Sequence, residues 1–178
     1  MAFMKVSLIL ILIALFGASP RCEAAPNVSV RQGSCHIQHK DYTLRLIKSL
    51  ILVDNTKVFT DKNSIIDINQ AHHYSISAES NAVLRYTLKN NHLFHFISGT
   101  FSVKLNRNLK VLVPHGEITF FPGRHIVSIG ENRLTLKTIV GEKATLSTPH
   151  MVRSTRPGWS LISAYTGGFK LVKEVESK

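Results

Sequence analysis

The chain has 178 residues, of which 44% are hydrophobic, and carries a net charge of +11. This length suits one domain with a core of its own, and no second hydrophobic run or Pro/Ser-rich linker divides it. Two cysteines are too few for the small secreted scaffolds that depend on several disulfides, so that class is excluded.

The first predicted element is a secretory signal peptide. Lys5 precedes an apolar run, Val6–Phe16, which is shorter than the roughly 20 residues that span a bilayer, so a membrane anchor is disfavoured. Cys22 and Ala24 satisfy the small-residue rule for cleavage, which predicts removal of residues 1–24 as a signal helix. The residue before Cys22 is not small, so lipidation is not expected.

The predicted mature chain, residues 25–178, keeps most of the positive charge and a single cysteine, Cys35. This cysteine is either a small buried side chain or a reactive or intermolecular thiol. Outside the cytoplasm, an anionic envelope polymer, a lipid head group or an acidic protein suits a basic chain better than nucleic acid does. The alternative is that the surplus lysines are only a solvated surface.

Short β strands account for the first half of the mature chain. Residues 43–53 form the first long apolar run, and residues 73–78 alternate clearly between apolar and polar side chains. Gly99 interrupts the stretch 92–105, which indicates a bulge or bend between two short strands. Residues 101–105 and 109–113 flank an Asn-Arg-Asn turn, which predicts a hairpin.

The second half continues with strands predicted at 117–121, 125–129, 133–140, 143–148 and 169–175. Turn residues recur about every 8–12 positions, which is typical of all-β sandwiches and barrels. We therefore predict an all-β fold, namely a single-domain β-roll or sandwich of short, mostly antiparallel strands. The loose ten-residue rhythm would suit a coiled sheet in which each turn stacks on the last.

Nine histidines raise the question of a metal site. The pairs His36/His39 and His92/His95 are spaced by three residues, and such positions point to opposite faces of a strand. The sequence contains no His-Glu-x-x-His motif and no cysteine pair. We therefore expect no metal and no other cofactor.

Enzymatic motifs are missing from the sequence as well. It has no Gly-x-Ser-x-Gly elbow, no phosphate-binding loop and no dinucleotide fingerprint. Cys35 and His36 are neighbours, and neighbours on a strand point apart, so they do not form a nucleophile and base. An acid–base pair formed by distant residues stays open, but we predict that the chain is not an enzyme.

The stretch 111–129 holds the strongest hint of a site, because His115, Glu117 and His125 lie among two proline–glycine turns. Apolar side chains at alternating positions explain most of this stretch as strand. His115 falls in the first turn, and His125 follows the second. We therefore interpret the stretch mainly as evidence for the fold.

The order of turn residues in this half resembles the FecR-type domain. Val113 to Gly116 match its Thr-Pro-x-Gly turn with valine in place of threonine, and Gly123-Arg124 stand where Gly-Thr is expected. The resemblance covers about residues 28–160. The turn positions that carry it are Gly99, Pro114, Gly116, Gly123, Gly141 and Gly158.

The resemblance implies a periplasmic β domain without catalytic activity. In that family such domains occur in iron-uptake anti-sigma regulators and in other bacterial envelope proteins. The predicted mature chain has neither a cytoplasmic region nor a spanning helix before this domain. We therefore do not expect it to signal across the inner membrane by itself.

Taken with the composition, these patterns predict an exported binding or envelope-sensing module in the periplasm, with the extracellular space as the alternative. Its partner would be an unidentified protein or an anionic envelope polysaccharide. The alternatives are a secreted effector and an envelope-directed enzyme on another β fold. The predicted contacts are a basic face and a turn region, comprising Lys104, Arg107, Lys110, Arg133 and Lys137 with His115 and Arg124.

Overall fold

A computed structural model describes residues 25–88 and 93–174. The predicted signal peptide lies outside these residues. The described part is all-β, as predicted, with no helix. Its strands are β1 (Asn27–Gln32), β2 (Cys35–His39), β3 (Tyr42–Leu46), β4 (Ser49–Ile51), β5 (Thr56–Thr60), β6 (Ile65–Gln70), β7 (Tyr74–Ala78), β8 (Val83–Tyr86), β9 (Phe94–Leu105), β10 (Leu109–Val113), β11 (Gly116–Phe120), β12 (Gly123–Ile129), β13 (Arg133–Gly141), β14 (Ala144–Thr148), β15 (Met151–Thr155), β16 (Trp159–Ala164) and β17 (Phe169–Lys173).

The strands form an open mixed sheet that is folded into two layers sharing β9. The first layer has the order β4-β1-β6-β7-β9-β12-β13-β16-β17. The second has the order β3-β2-β5-β8-β9-β10-β11-β14-β15. Neighbouring strands in the described part are antiparallel, except β9 and β10, which are parallel.

β9 passes from one layer to the other at Gly99. Residues before this glycine pair with β8 and β10, whereas residues 99–105 pair with β7 and β12. Gly99 has φ of +101°, and a Cβ there would lie 2.5 Å from the Cα of Ala82. Only glycine fits this bend without strain. The predicted bend is confirmed, although β9 is one continuous strand rather than two.

The hairpin predicted from residues 101–105 and 109–113 is wrong. Residues 101–105 belong to the first layer, between β7 and β12. β10 instead lies in the second layer, where Val111 pairs in parallel with Phe94 at the start of β9. The loop at Arg107 therefore carries the chain between layers.

The core lies between the two layers and is filled by alternate side chains of each strand. Phe96 from the second layer stacks on Phe101 from the first, with ring centroids 4.2 Å apart. Burying one such side chain contributes about 1.5–3 kcal/mol to folding. Cys35 is part of this core, and burial raises the pKa of its thiol to about 11, with the Asp61 carboxylate adding to the effect. Of the two interpretations of this cysteine, the structure supports the buried one.

Alternating hairpins build the second half of the sandwich. β10–β11 and β14–β15 lie side by side in the second layer, and β12–β13 and β16–β17 in the first. Gly123 and Gly141 face each other where β12 meets β13, and a Cβ on Gly141 would lie 2.5 Å from the Cα of Gly123. This arrangement agrees with the coiled, stacking sheet expected from the ten-residue rhythm.

Candidate ligand-binding site

A cleft of about 450 Å³ opens between the two layers beside their last strands, β15 and β17. Leu134 from the first layer and Leu146 from the second, both almost fully buried, meet in it. Met151 packs against the core beside them. The cleft is thus the apolar interior continued towards solvent. Its lining comprises Pro114, His115, Gly116, Leu134, Leu146, Thr148, Pro149, His150, Met151, Arg153, Ser163, Ala164, Tyr165, Gly167 and Phe169.

Two hairpin tips with the same Pro-His sequence contribute to this lining. Pro114-His115 joins β10 to β11, and Pro149-His150 joins β14 to β15. Because β11 pairs with β14, both tips lie at the same end of the second layer. His115 has φ of +70°, which is uncommon for a residue other than glycine. Its ring lies 4.7 Å from that of Tyr165, between the centroids.

Tyr165 lines the cleft and carries a polar group. Its hydroxyl is buried and has no hydrogen-bond partner among the described residues. Burial raises the pKa of this phenol, so the hydroxyl stays protonated at neutral pH and can donate a hydrogen bond. A buried donor without a partner is costly, because it has lost its hydrogen bonds to water. A ligand acceptor that displaces the side chains covering this hydroxyl would recover that loss.

Arg153 and Phe169 connect the two layers at the mouth of the cleft. The guanidinium of Arg153, on β15, lies 4.5 Å from the centroid of the Phe169 ring, on β17. This is a cation–π contact between the edge strands of different layers. No aspartate or glutamate occurs among the described lining residues, so the Arg153 charge is not neutralised within the cleft.

The predicted basic residues do not form one face. Lys104 and Arg124 are cross-strand neighbours on the first layer, while Lys110 lies on the second, where its Nζ is 3.2 Å from a carboxylate oxygen of Glu117. The Nζ of Lys137 is 2.8 Å from a carboxylate oxygen of Glu174, on the first layer. The remaining two residues are Arg107, in the loop between β9 and β10, and Arg133, at the start of β13.

His115 and Arg124, which were predicted to contribute to one turn region, lie apart. His115 is at the tip of the β10–β11 hairpin, whereas Arg124 follows the opposite end of β11 and begins β12. Of the predicted contact residues, His115 alone lines the cleft. The other turn positions that line it are Pro114 and Gly116.

His125 is a core residue that links the two layers. Its Nε2–H donates to the carbonyl of Phe121 at 2.8 Å, and its Nδ1 accepts from the Thr138 hydroxyl at 3.1 Å. The Thr138 hydroxyl is also 2.5 Å from that of Thr155, on β15. Burial lowers the pKa of His125, although the bond to Phe121 opposes this. The imidazole therefore stays neutral and structural.

A serine, a histidine and an aspartate do meet in the first half of the sandwich. The Asp61 carboxylate accepts a short hydrogen bond from the Ser34 hydroxyl and lies 2.9 Å from Nδ1 of His36. The bond from Ser34, followed by the contacts with His36 and Arg45, holds the pKa of Asp61 below its ordinary value. Ser34 therefore bonds a weak base instead of the imidazole, which does not activate it as a nucleophile.

Histidines do not gather into a metal site in the described part of the chain. No group of three or more histidine, cysteine, aspartate or glutamate side chains there has an arrangement that could hold a metal ion. Cys35 faces the core while His36 faces Asp61 on the outside, so these two side chains point apart as expected. Residues 25–88 and 93–174 also contain no helix able to cross a membrane.

Comparison with known proteins shows the fold but not a family. No family model and no curated protein matches the chain. Two crystal structures of a "putative anti-sigma factor" from Parabacteroides distasonis ATCC 8503 are similar, each with 12% identity and with TM-scores of 0.56 and 0.58. The matches cover 66% of this chain and 59% of theirs, which is less than two thirds of those proteins' length.

These neighbours are of the same kind as the FecR regulators, so the expected fold is supported. A FecR domain itself is not confirmed, because no family model matches the chain. Sequence reasoning missed the residues of the cleft, Arg153, Tyr165 and Phe169, because they come from three elements. The repeated Pro-His dipeptide was the available signal, since it marks two tips that the fold brings together.

Proposed function

We propose that this chain is an exported, non-enzymatic binding domain of the bacterial cell envelope, with a sensing or regulatory role, and that its ligand enters the cleft. The cleft carries the proposal. It combines apolar walls, one cation without a carboxylate partner in the lining, and a buried hydroxyl with no hydrogen bond. Concave apolar sites with a few converging polar groups are typical of ligand-binding sites.

The fold supports a regulatory role. Two of its structural neighbours are described as a "putative anti-sigma factor". The predicted signal peptide supports a position in the periplasm. Cleavage after Ala24 can be checked by N-terminal sequencing of the protein recovered from a bacterial periplasm, where Ala25 is the expected first residue. Recovery of the uncleaved chain in the cytoplasm would contradict export.

A cleft-filling variant tests the role of the cleft. We expect the exported protein, after incubation with envelope extract and gentle purification, to retain one ligand of unchanged mass in native mass spectrometry. Met151→Trp places a larger side chain in the cleft and should abolish retention. Val152→Trp is the matched control, because Val152 lies on the same strand but is 58% exposed. Equal retention by both variants, or a chemically altered ligand, would contradict the proposal.

A second candidate function uses the outer face of the first layer. Lys104 and Arg124 are exposed cross-strand neighbours, and neither forms an ion pair with a carboxylate in the described part of the chain. Two adjacent cations attract an anionic envelope polysaccharide, and salt should weaken such binding. Removing both charges (Lys104→Gln with Arg124→Gln) should therefore reduce binding to anionic envelope polymer at low salt. Unchanged, salt-independent binding would exclude this candidate.

A further inference from the structure

The shape and polarity of the cleft restrict what it can bind. Its walls include the apolar side chains of Leu134, Leu146 and Met151, and its volume of about 450 Å³ is within the range of small-molecule sites. Besides two histidines, a serine and a threonine, the lining contains Tyr165, whose hydroxyl has no hydrogen-bond partner among the described residues, and the guanidinium of Arg153. A ligand that suits both parts has an apolar body and one anionic end.

Tyr165 and Arg153 are suited to a carboxylate in particular. The Tyr165 hydroxyl is a neutral donor without a partner in the described residues, and the Arg153 guanidinium has donor groups beside the same cleft. Hydrogen bonds from both groups to an ionised carboxylate would be charge-assisted, which makes them stronger than neutral ones. The contact with Phe169 holds the guanidinium across the mouth of the cleft.

The apolar body is better supplied by an acyl chain than by a peptide. A peptide segment in the cleft would bring amide groups that need hydrogen-bond partners once they leave water. Among the described lining residues, the buried side-chain group that lacks a hydrogen bond is the Tyr165 hydroxyl. Methylene groups need no hydrogen-bond partners, and burying one methylene group increases the binding constant about fourfold.

We propose that the cleft binds a medium-chain fatty acid, with the acyl chain between the two layers and the carboxylate at Tyr165 and Arg153. The inference rests on the proposed function, because it assigns a ligand class to the same site. It also gives Tyr165 and Arg153, two of the three cleft residues that sequence reasoning missed, a direct role in recognition.

Calorimetric titration of the exported protein with decanoate tests this inference. We expect one decanoate per chain, and binding at least tenfold weaker for 1-decanol, which lacks the charge. Octanoate is shorter by two methylenes and should bind about 15-fold more weakly than decanoate. Acetyl-Leu-Phe with a free carboxylate represents the peptide alternative. Tighter binding of that peptide than of decanoate, or equal binding of decanoate and decanol, would overturn the proposal.

Variants separate recognition from folding. Tyr165→Phe and Arg153→Gln should each weaken decanoate binding at least tenfold while the melting temperature stays close to that of the wild type. Arg156→Gln is the matched control, because Arg156 also lies over an aromatic ring, that of Trp159 at 4.8 Å, but does not line the cleft. It should change the affinity less than twofold. Equal losses for Arg153→Gln and Arg156→Gln would overturn the assignment.

The two proposals fail in different ways. If decanoate does not bind, but an envelope ligand is retained by the wild type and lost in Met151→Trp, the fatty-acid assignment is wrong and the binding function stands. If no envelope ligand is retained while decanoate binds as described, the envelope role is contradicted and the chemistry of the cleft is supported.

Discussion

The two halves of the sandwich end differently. In the first half, the edge strands β3 and β4 belong to different layers and are joined directly by Ile47 and Lys48. In the second half, the edge strands β15 and β17 leave the cleft between them and meet across it only through Arg153 and Phe169 among the contacts described above. We refer to these as the joined end and the cleft end.

The difference shows that exposed apolar surface and an enclosed apolar cleft are separate features. The joined end exposes more large apolar side chains, and Tyr42, Ile47 and Ile51 are each more than 60% exposed. Yet these side chains project outwards around a short link. The cleft end exposes less apolar surface but encloses it between two layers. The Tyr165 hydroxyl, a hydrogen-bond donor, and the Arg153 cation belong to residues that line the same cleft. We therefore place the ligand at the cleft end.

The largest effect is expected where the two halves are connected. Gly99→Ala should lower the free energy of unfolding by about 4 kcal/mol, because it combines an unfavourable φ with a Cβ pressed against the Ala82 backbone. Gly158→Ala is the control, since Gly158 has φ of +76° but open space around it, and should lose about 1 kcal/mol. Denaturant unfolding measures both. Equal losses would mean that the close approach at β9 does not matter.

A leucine pair compares the two ends directly. Leu134→Ala at the cleft end should lower the free energy of unfolding by about 3 kcal/mol, because Leu134 is 1% exposed and its truncation leaves a cavity. Leu44→Ala at the joined end should lose less than about 1 kcal/mol, since Leu44 is 53% exposed. Urea unfolding measures both changes in the free energy of unfolding, provided that its dependence on urea concentration is the same for both variants and the wild type. A loss at Leu44 as large as that at Leu134 would show that the joined end is packed.

Acid should remove the contributions of His125 and Asp61, one from each half, in different pH ranges. His125, in the second half, has a lowered pKa, so below about pH 6.5 the unfolded chain binds a proton that the folded chain does not, and stability falls. Asp61, in the first half, also has a lowered pKa. Its contribution is present above about pH 3.9, the value for the unfolded chain, and is lost as pH falls through the folded pKa.

Unfolding measured as a function of pH checks this assignment. His125→Gln should flatten the decline below pH 6.5, by at most about 1.4 kcal/mol per pH unit, although it lowers stability at neutral pH. Asp61→Asn should flatten only the decline below about pH 3.9. If both variants altered the same pH range, the assignment of the two declines to His125 and Asp61 would be wrong.

The smallest effect is expected for the exposed side chains of the joined end. Ile47→Ser should change the free energy of unfolding by less than about 0.5 kcal/mol, because Ile47 is 66% exposed. It should also leave decanoate binding unchanged. Thermal unfolding and calorimetry measure the two quantities. A clear loss of either would show that the joined end takes part in folding or in ligand binding.

Most strands of this fold could be predicted from the sequence, because alternation and turn residues are local. The strands expected at 125–129, 133–140 and 143–148 each overlap an observed strand, and Gly99 marks the bend of β9. The layer to which each strand belongs depends on pairing between distant residues, so it cannot be read from a short stretch of sequence. The hairpin at Arg107 was therefore mispredicted, since adjacent strands were assumed to pair.

The cleft could not be predicted for the same reason. Tyr165 follows β16, Arg153 lies on β15 and Phe169 begins β17, so their proximity depends on how the layers are stacked. His115 was singled out because its turn was recognisable, and it is the predicted contact residue that lines the cleft. Lys104 and Arg133 were predicted to belong to a basic face, but the sequence does not show which charges have acidic partners.

The most direct test of ligand binding at the cleft end is hydrogen exchange of the protein with and without the ligand retained from envelope extract. The ligand should slow exchange in residues 146–153 and 163–169, which border the cleft, and cause no change in residues 42–51 at the joined end. Protection at residues 42–51 with none at the cleft end would contradict ligand binding at the cleft end.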